Sequence, residues 1–168
     1  MPITYEVVTP TSTVSNTTTA TVTFSSIPQT YTDLVVVFNG GTESGGTNVQ
    51  FKVNNDTGSN YSFTILRGNG TTADSDRESN FSGYFRWGAR ATPTAEFSTV
   101  DFAHLMDYTN TTTYKTLLFR THNASGGIDA TVGRWASTSA INRIDITIPA
   151  TNYFRNGSTI TIYGIKAA

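Results

Sequence analysis

The chain is predicted to be all-β, a single-domain antiparallel β-sandwich of jelly-roll-like type, on three observations. Apolar and polar residues alternate with a period of two in segment after segment, which sets one face of a strand on a core and the other toward solvent. Clusters of Asn, Gly and Asp separate those segments, and no window of a dozen residues carries convincing helical periodicity. Neutral polar residues fill much of the rest: 32 Thr, 15 Ser, 13 Asn and 14 Gly, against 14% charged residues, where soluble domains usually carry about 25%. Hydroxyls and amides keep such a surface wet without the Lys- and Glu-rich faces of exposed helices. At 168 residues the chain makes one ordinary domain, long enough to hold a core without covalent staples. Strand number, about eight to eleven, and turn spacing suggest the jelly-roll type, while patterning does not give the strand order.

In chain order, residues 3–8 are a short apolar-rich opening, and residues 9–23 are rich in Thr. Residues 1–13 are expected as an extended N-terminal arm or edge strand, with 14–168 forming the sandwich. Ala20, Val22 and Phe24 alternate with Thr21, Thr23 and Ser25. Residues 34–38 are an unbroken apolar run, the pattern of a strand covered on both faces. Val49, Phe51 and Val53 alternate with Gln50 and Lys52, and Tyr61, Phe63 and Ile65 with Ser62 and Thr64. Further strands are expected over 81–87, 97–106, 114–121 and 128–135. The clearest pair comes last: Ile144, Ile146 and Ile148 around Asp145 and Thr147, then Ile160 and Ile162 around Thr161. Asn156-Gly157 lies between these two and predicts a hairpin. Residues 137–141 have room for one helical turn. Residues 40–48 and 68–80 read as loops, and the second holds the densest charge in the chain: Asp74, Asp76, Arg77 and Glu78.

Charge and residue usage exclude several functions. Three Lys and eight Arg stand against twelve acidic residues, a net charge of −1, so there is no broad basic footprint for nucleic acid. With no Cys there are no disulfides, thiolate metal sites or cysteine nucleophiles. No basic segment followed by an apolar stretch opens the chain, and its longest apolar run is too short to span a bilayer. Export by the usual route and membrane association are therefore not expected.

Catalytic chemistry finds little support. His104 alternates with Val100, Phe102 and Met106 and is read as a structural histidine on their side of a strand; Asp101 and Asp107 fall on the other. There is no Gly-x-Ser-x-Gly elbow, His-Glu-x-x-His pair, Walker loop or dinucleotide fingerprint. Asp74, Asp76 and Glu78 alternate like oxygen ligands, and Asp56, Gly58 and Asn60 make a second oxygen-rich stretch, but neither has the EF-hand pattern. Both are read as solvated acidic segments or Asx-rich turns. No catalytic residue, cofactor or metal is assigned, and the chain is not expected to be an enzyme. Eight Asn-x-Ser/Thr sequons, among them Asn16, Asn55, Asn60 and Asn156, are read as Asn and Thr enrichment in turns. Trp87, Trp135, Tyr61, Tyr84 and Tyr153 have two readings: stacking platforms for sugar rings, or core and subunit contacts.

Three stretches carry a resemblance. Phe24-Ser-Ser-Ile-Pro-Gln-Thr-Tyr-Thr-Asp-Leu-Val-Val-Val, Val53-Asn-Asn-Asp-Thr-Gly-Ser-Asn-Tyr-Ser and Gly157-Ser-Thr-Ile-Thr-Ile-Tyr-Gly-Ile-Lys resemble segments of small virion structural proteins of tailed bacteriophages. Tyr114-Lys115 and Trp135-Ala-Ser-Thr-Ser-Ala-Ile-Asn fit the same pattern. The resemblance implies a capsid decoration (cement) protein, typically a homotrimer, bound to the major capsid protein on the outside of the shell and made in the host cytoplasm. The alternative it implies is a tail-fibre or receptor-binding domain recognising host carbohydrate; the compact chain favours the first. Nucleic acid and membrane are not expected partners. Candidate contacts are Ile3, Tyr5 and Val7, for strand addition to a neighbour, and Asp74, Asp76, Arg77 and Glu78, for a capsid-facing or inter-subunit contact.

Overall fold

Buried and exposed side chains alternate along nearly every strand of the computed structural model, which describes residues 5–43, 48–87, 99–123, 126–149 and 152–166. Ile3 and residues 44–47 of the first expected loop lie outside them. The strands are β1 (Tyr5–Val7), β2 (Ser12–Thr13), β3 (Thr21–Phe24), β4 (Asp33–Gly40), β5 (Val49–Val53), β6 (Tyr61–Gly68), β7 (Ala73–Phe81), β8 (Phe85–Trp87), β9 (Thr99–Met106), β10 (Lys115–Asn123), β11 (Gly127–Trp135), β12 (Ile144–Thr147) and β13 (Thr159–Ile165).

Four antiparallel pairings nest inside one another as in one long hairpin: β1 with β13, β3 with β12, β4 with β9, and β5 with β8. That ribbon is rolled, so that β13 also pairs with β4 and β12 with β5. Two sheets result, β1-β13-β4-β9 and β3-β12-β5-β8, which is the double Greek key of a jelly roll. Two hairpins, β6–β7 and β10–β11, then widen the first sheet. Its full order is β1-β13-β4-β9-β10-β11-β6-β7, with β2 also on β13, making nine strands against four. Residues 5–7 thus form an edge strand of the chain's own sheet, with β2 continuing that edge beyond Pro10, which cannot donate to a ladder.

The core lies between the sheets. Leu34, Val36 and Phe38 of β4, Leu117 and Phe119 of β10, and Ile160 and Ile162 of β13 face Phe51, Phe85, Trp87, Ile144 and Ile146, all buried. Its centre is aromatic: Phe51 meets Phe119 and Trp87 edge-on with centroids 5.4 Å apart in each case, and Tyr61 meets Phe85 at 4.8 Å. Edge-on geometry sets the positive rim of one ring on the negative face of the next, adding roughly 0.5–1.5 kcal/mol per pair to the area buried. Gly133 makes room for this packing, since a Cβ there would stand 2.7 Å from the Phe85 ring.

One turn recurs three times. In Asn16-Thr-Thr-Thr, Asn69-Gly-Thr-Thr and Asn110-Thr-Thr-Thr the Asn Oδ1 accepts from the hydroxyls of the second and third following residues, at 2.9–3.2 Å. It also accepts the backbone N–H of Thr18, Thr71 and Thr112. A side-chain carbonyl that mimics a backbone turn explains why Asn-x-Thr sequences punctuate this chain.

Four expectations change. Residues 68–80 are not a loop: after the Asn69 turn they form β7, an edge strand whose alternation of charged and hydroxyl side chains gives no apolar period. Asn156-Gly157 does turn, with Gly157 at φ 87° and Ser158 N–H bonded to Arg155 O at 3.0 Å. It makes no hairpin, because β12 and β13 belong to different sheets. Residues 137–141 are irregular rather than helical, and Ile141 is buried with its N–H on Tyr108 O. Finally, β4 is fully covered on one face only; Val35 and Val37 on its other face are half-buried.

Because Phe85 and Phe119 are both fully enclosed, Gly133→Ala is expected to destabilise the protein by about 1–3 kcal/mol through overpacking. Urea denaturation checks this; an unchanged midpoint would show that the rings yield freely.

Candidate functional site

Opposed residues of an antiparallel pair point to the same side of the sheet, so the register of the nine-stranded sheet fixes what its outer face carries. One row reads Val7, Tyr163, Val35, His104, Leu118, Val132, Thr64, Arg77 from β1 to β7. The next reads Thr161, Val37, Phe102, Arg120, Ala130, Leu66, Ser75 from β13 to β7. These are largely apolar rows on a face that the second sheet does not cover. Leu66, Val132 and Ile128 are 61%, 56% and 64% exposed. The face is concave, with a hollow of about 850 Å³ over Val35, Val37, Phe102, Leu118, Val132 and Tyr163, and an adjoining one of about 460 Å³ over Leu66, His122 and Ile128. A contiguous exposed apolar surface of this kind marks an interaction site.

The predicted contact residues fall in different places. Tyr5 and Val7 are exposed at the β1 end of this face, and Arg77 is exposed at its β7 end. Asp74, Asp76 and Glu78 alternate with Arg77 and therefore point to the other side of β7. There Asp76 accepts from Arg67 at 3.2 Å and Glu78 from Arg86 at 3.1 Å. The Arg67 guanidinium and its hydrogen bond hold the Asp76 carboxyl below its ordinary value. The charged cluster is thus split, its single arginine outward and its acids on the opposite side of the strand. The residues that make the face, such as Phe102, Leu118 and Val132, are not among the predicted contacts. Their signal is apolarity on both sides of a strand in β4, an unbroken run, and in β10, with Leu117 beside Leu118; in β11 it is an apolar side, Ile128, Ala130 and Val132, that alternates with buried Asp129, Thr131 and Gly133.

His104 does share a side with Val100 and Phe102, but that side is the outer face. Its Nε2 lies 2.9 Å from Asp33 Oδ2, and Asp33 Oδ1 accepts the Asp107 N–H at 2.8 Å. The buried side of β9 is the one carrying Thr99, Asp101, Ala103 and Leu105. Asp101 is 1% exposed and accepts the His122 backbone N–H at 3.2 Å. Burial pushes its carboxyl from 3.8 up to about 8; the His122 N–H opposes the rise and the nearby Asp129 charge adds to it.

Trp87 and Trp135 are buried, as is Tyr61, which places them in the core and removes them as sugar-stacking platforms. Asp56 is enclosed by donors: Trp135 Nε1 at 2.6 Å, Asn60 Nδ2 at 2.8 Å and the Gly58 N–H at 2.8 Å. These bonds complete an Asx turn and hold its carboxyl below the ordinary value against the cost of burial. Among the described residues, no three His, Cys, Asp or Glu side chains are grouped to hold a metal ion. No model of a known protein family matches the chain, and no curated protein matches it either.

Two measurements follow from these environments. The unfolded Asp101 ionises near 3.8 and the folded one near 8, so across that interval the folded state keeps a proton that the unfolded state has lost. Stability is expected to fall as pH rises from about 4 to about 8, by at most ~1.4 kcal/mol per pH unit, and then to level off. Asp101→Asn, which keeps an acceptor for His122, should flatten that profile and raise Tm at pH 9; parallel curves for parent and variant would refute the assignment. On the outer face, Leu66→Thr and Val132→Thr keep a strand-compatible residue while removing apolar surface. Each is expected to change stability by no more than ~0.5 kcal/mol while lowering the fluorescence of bound anilinonaphthalene sulfonate.

Proposed function

We propose that this protein is a bacteriophage capsid decoration protein that docks through the open face of its nine-stranded sheet on the outside of the major capsid shell. The observation that carries the reading is that face: broad, concave and apolar from Val7 at one edge to Leu66 near the other. Burying aliphatic surface of this kind contributes about 25 cal/mol per Å² removed from water, and its breadth across β4, β9, β10 and β11 suits a protein surface that rises into the hollow. The resemblance of three stretches of the sequence to small virion proteins supports the same reading.

In this proposal the chain assembles as a homotrimer in the host cytoplasm and touches several capsid subunits at once. Later contacts are then intramolecular, and weak single contacts add up to an avid clamp. Preference for the expanded shell over the loose one stabilises the expanded form by mass action. Tyr5 and Val7, exposed on the β1 edge of the face, are the residues proposed to contact a neighbouring subunit. The alternative, a tail module that binds host carbohydrate, needs exposed aromatic platforms; Trp87, Trp135 and Tyr61 are buried, which leaves Tyr5 and Tyr114, 57% and 53% exposed, with part-exposed Tyr84 and Tyr153.

Cryo-electron microscopy of purified phage particles is the test. Copies arrayed over the whole shell, with β4, β9, β10 and β11 toward it, are the expected result. Copies confined to the tail would overturn the proposal and make glycan binding the next assay.

A further inference from the structure

The outer face is polarised in charge as well as apolar. Strand alternation sends the acids of β7, β9 and β11 (Asp74, Asp76 and Glu78, Asp101, and Asp129) to the opposite side of the sheet and leaves Arg77, Arg120 and Arg134 on this one. The carboxylate of β4 on this face, Asp33, is already engaged by His104 and the Asp107 N–H. Elsewhere cations meet carboxylates: Arg67 with Asp76, Arg86 with Glu78, Arg143 with Asp145, Lys166 with Glu6. Arg77, Arg120 and Arg134 make no ion pair among the described residues. Arg120 instead lies over Phe102 with its guanidinium carbon 5.5 Å from the ring centroid, and Arg134 lies over Tyr114 at 5.6 Å. Stacking holds each fork in place while leaving its N–H donors available for a carboxylate.

Their spacing defines a partner. Leu118 and Val132 are directly opposed, with Arg120 two residues along β10 and Arg134 two residues along β11 in the other direction across the sheet. The arginines therefore bracket the apolar pair about 14 Å apart, four strand residues at roughly 3.4 Å each. On the docking reading given above, we infer that the surface seated on this face is a protein surface with an aliphatic centre flanked by Asp or Glu side chains. A sugar or a nucleic acid would set hydroxyls or base edges over Val35, Leu118 and Val132, which offer no side-chain hydrogen-bonding groups. An acidic, aliphatic protein surface fills both halves of the site, its carboxylates accepting paired N–H bonds from the stacked guanidinium groups.

The experiment measures binding to shells of the encoding phage stripped of this protein, at 50 and 500 mM NaCl, for the parent, R120E/R134E and L118S/V132S. Duplex DNA and heparin serve as competitors, and circular dichroism with Tm reports folding. The parent is expected to weaken with salt. R120E/R134E should lose at least tenfold in affinity at 50 mM, with a smaller salt dependence and an unchanged fold. If R120E/R134E binds like the parent while L118S/V132S does not, the docking face stands and the acidic partner is refuted. If both variants bind like the parent, the docking reading fails and this inference with it. Displacement of the parent by heparin or DNA, with binding of either at the same arginines, would overturn it in favour of an anionic polymer.

Discussion

Nine strands against four is the constraint on which the rest of this structure depends. In a two-layer sandwich each sheet covers one face of the other, so the core forms where β3, β12, β5 and β8 lie, the other face of the wide sheet stays open, and its extra strands make that open face broad. The rolled ribbon alone would give two matched sheets of four. The hairpins β6–β7 and β10–β11 break that match. Both join the same sheet because β11 pairs with β6, which turns two insertions into one continuous extension. The broad apolar face is thus a product of topology, since the two hairpins extend the side of the wide sheet that the second sheet does not cover.

The same alternation that builds the strands sorts their charges. Side chains one residue apart take opposite faces, so Arg77 is separated from Asp76 and Glu78, and Arg120 and Arg134 from the acids across the sheet. Behind the outer face of the wide sheet, part-exposed Asp76 is engaged by Arg67, and burial pushes the Asp101 carboxyl up to about 8. On the four-stranded sheet, Asp145 takes a two-pronged bond from Arg143 and a hydroxyl from Thr23 at 2.6 Å. On the outward side Arg120 and Arg134 rest on aromatic rings. Each solution is local, yet together they give the sheet one acidic and one basic side.

Turn chemistry explains the unusual composition. An Asn whose side chain accepts from two following threonines closes a turn without help from the rest of the fold, and the chain uses it at Asn16, Asn69 and Asn110. Thr serves twice, as donor in these turns and as a β-branched residue in the strands, where Thr21 and Thr147 meet hydroxyl to hydroxyl at 3.0 Å. A surface built this way needs few charges, which fits the low count of Lys and Glu.

By itself the sequence determined the fold class, the positions of nearly all strands with an apolar period, and the turns, because alternation and Asn or Gly chemistry act within a few residues. It also marked Trp87, Trp135 and Tyr61 as candidates for the core. It did not reveal β7, an edge strand with no apolar face to keep in period, or the separation of β12 from β13, since a turn sequence does not say which sheet its strands join. Nor did it say which side of β9 is inside: Val100, Phe102 and His104 look like the core side, yet Asp101 and Ala103 are buried. That choice belongs to the tertiary structure. Both sides of β4, β9 and β10 carry apolar residues, so local patterning is satisfied either way up. Only the packing of four strands against nine decides which side is covered and which is left open.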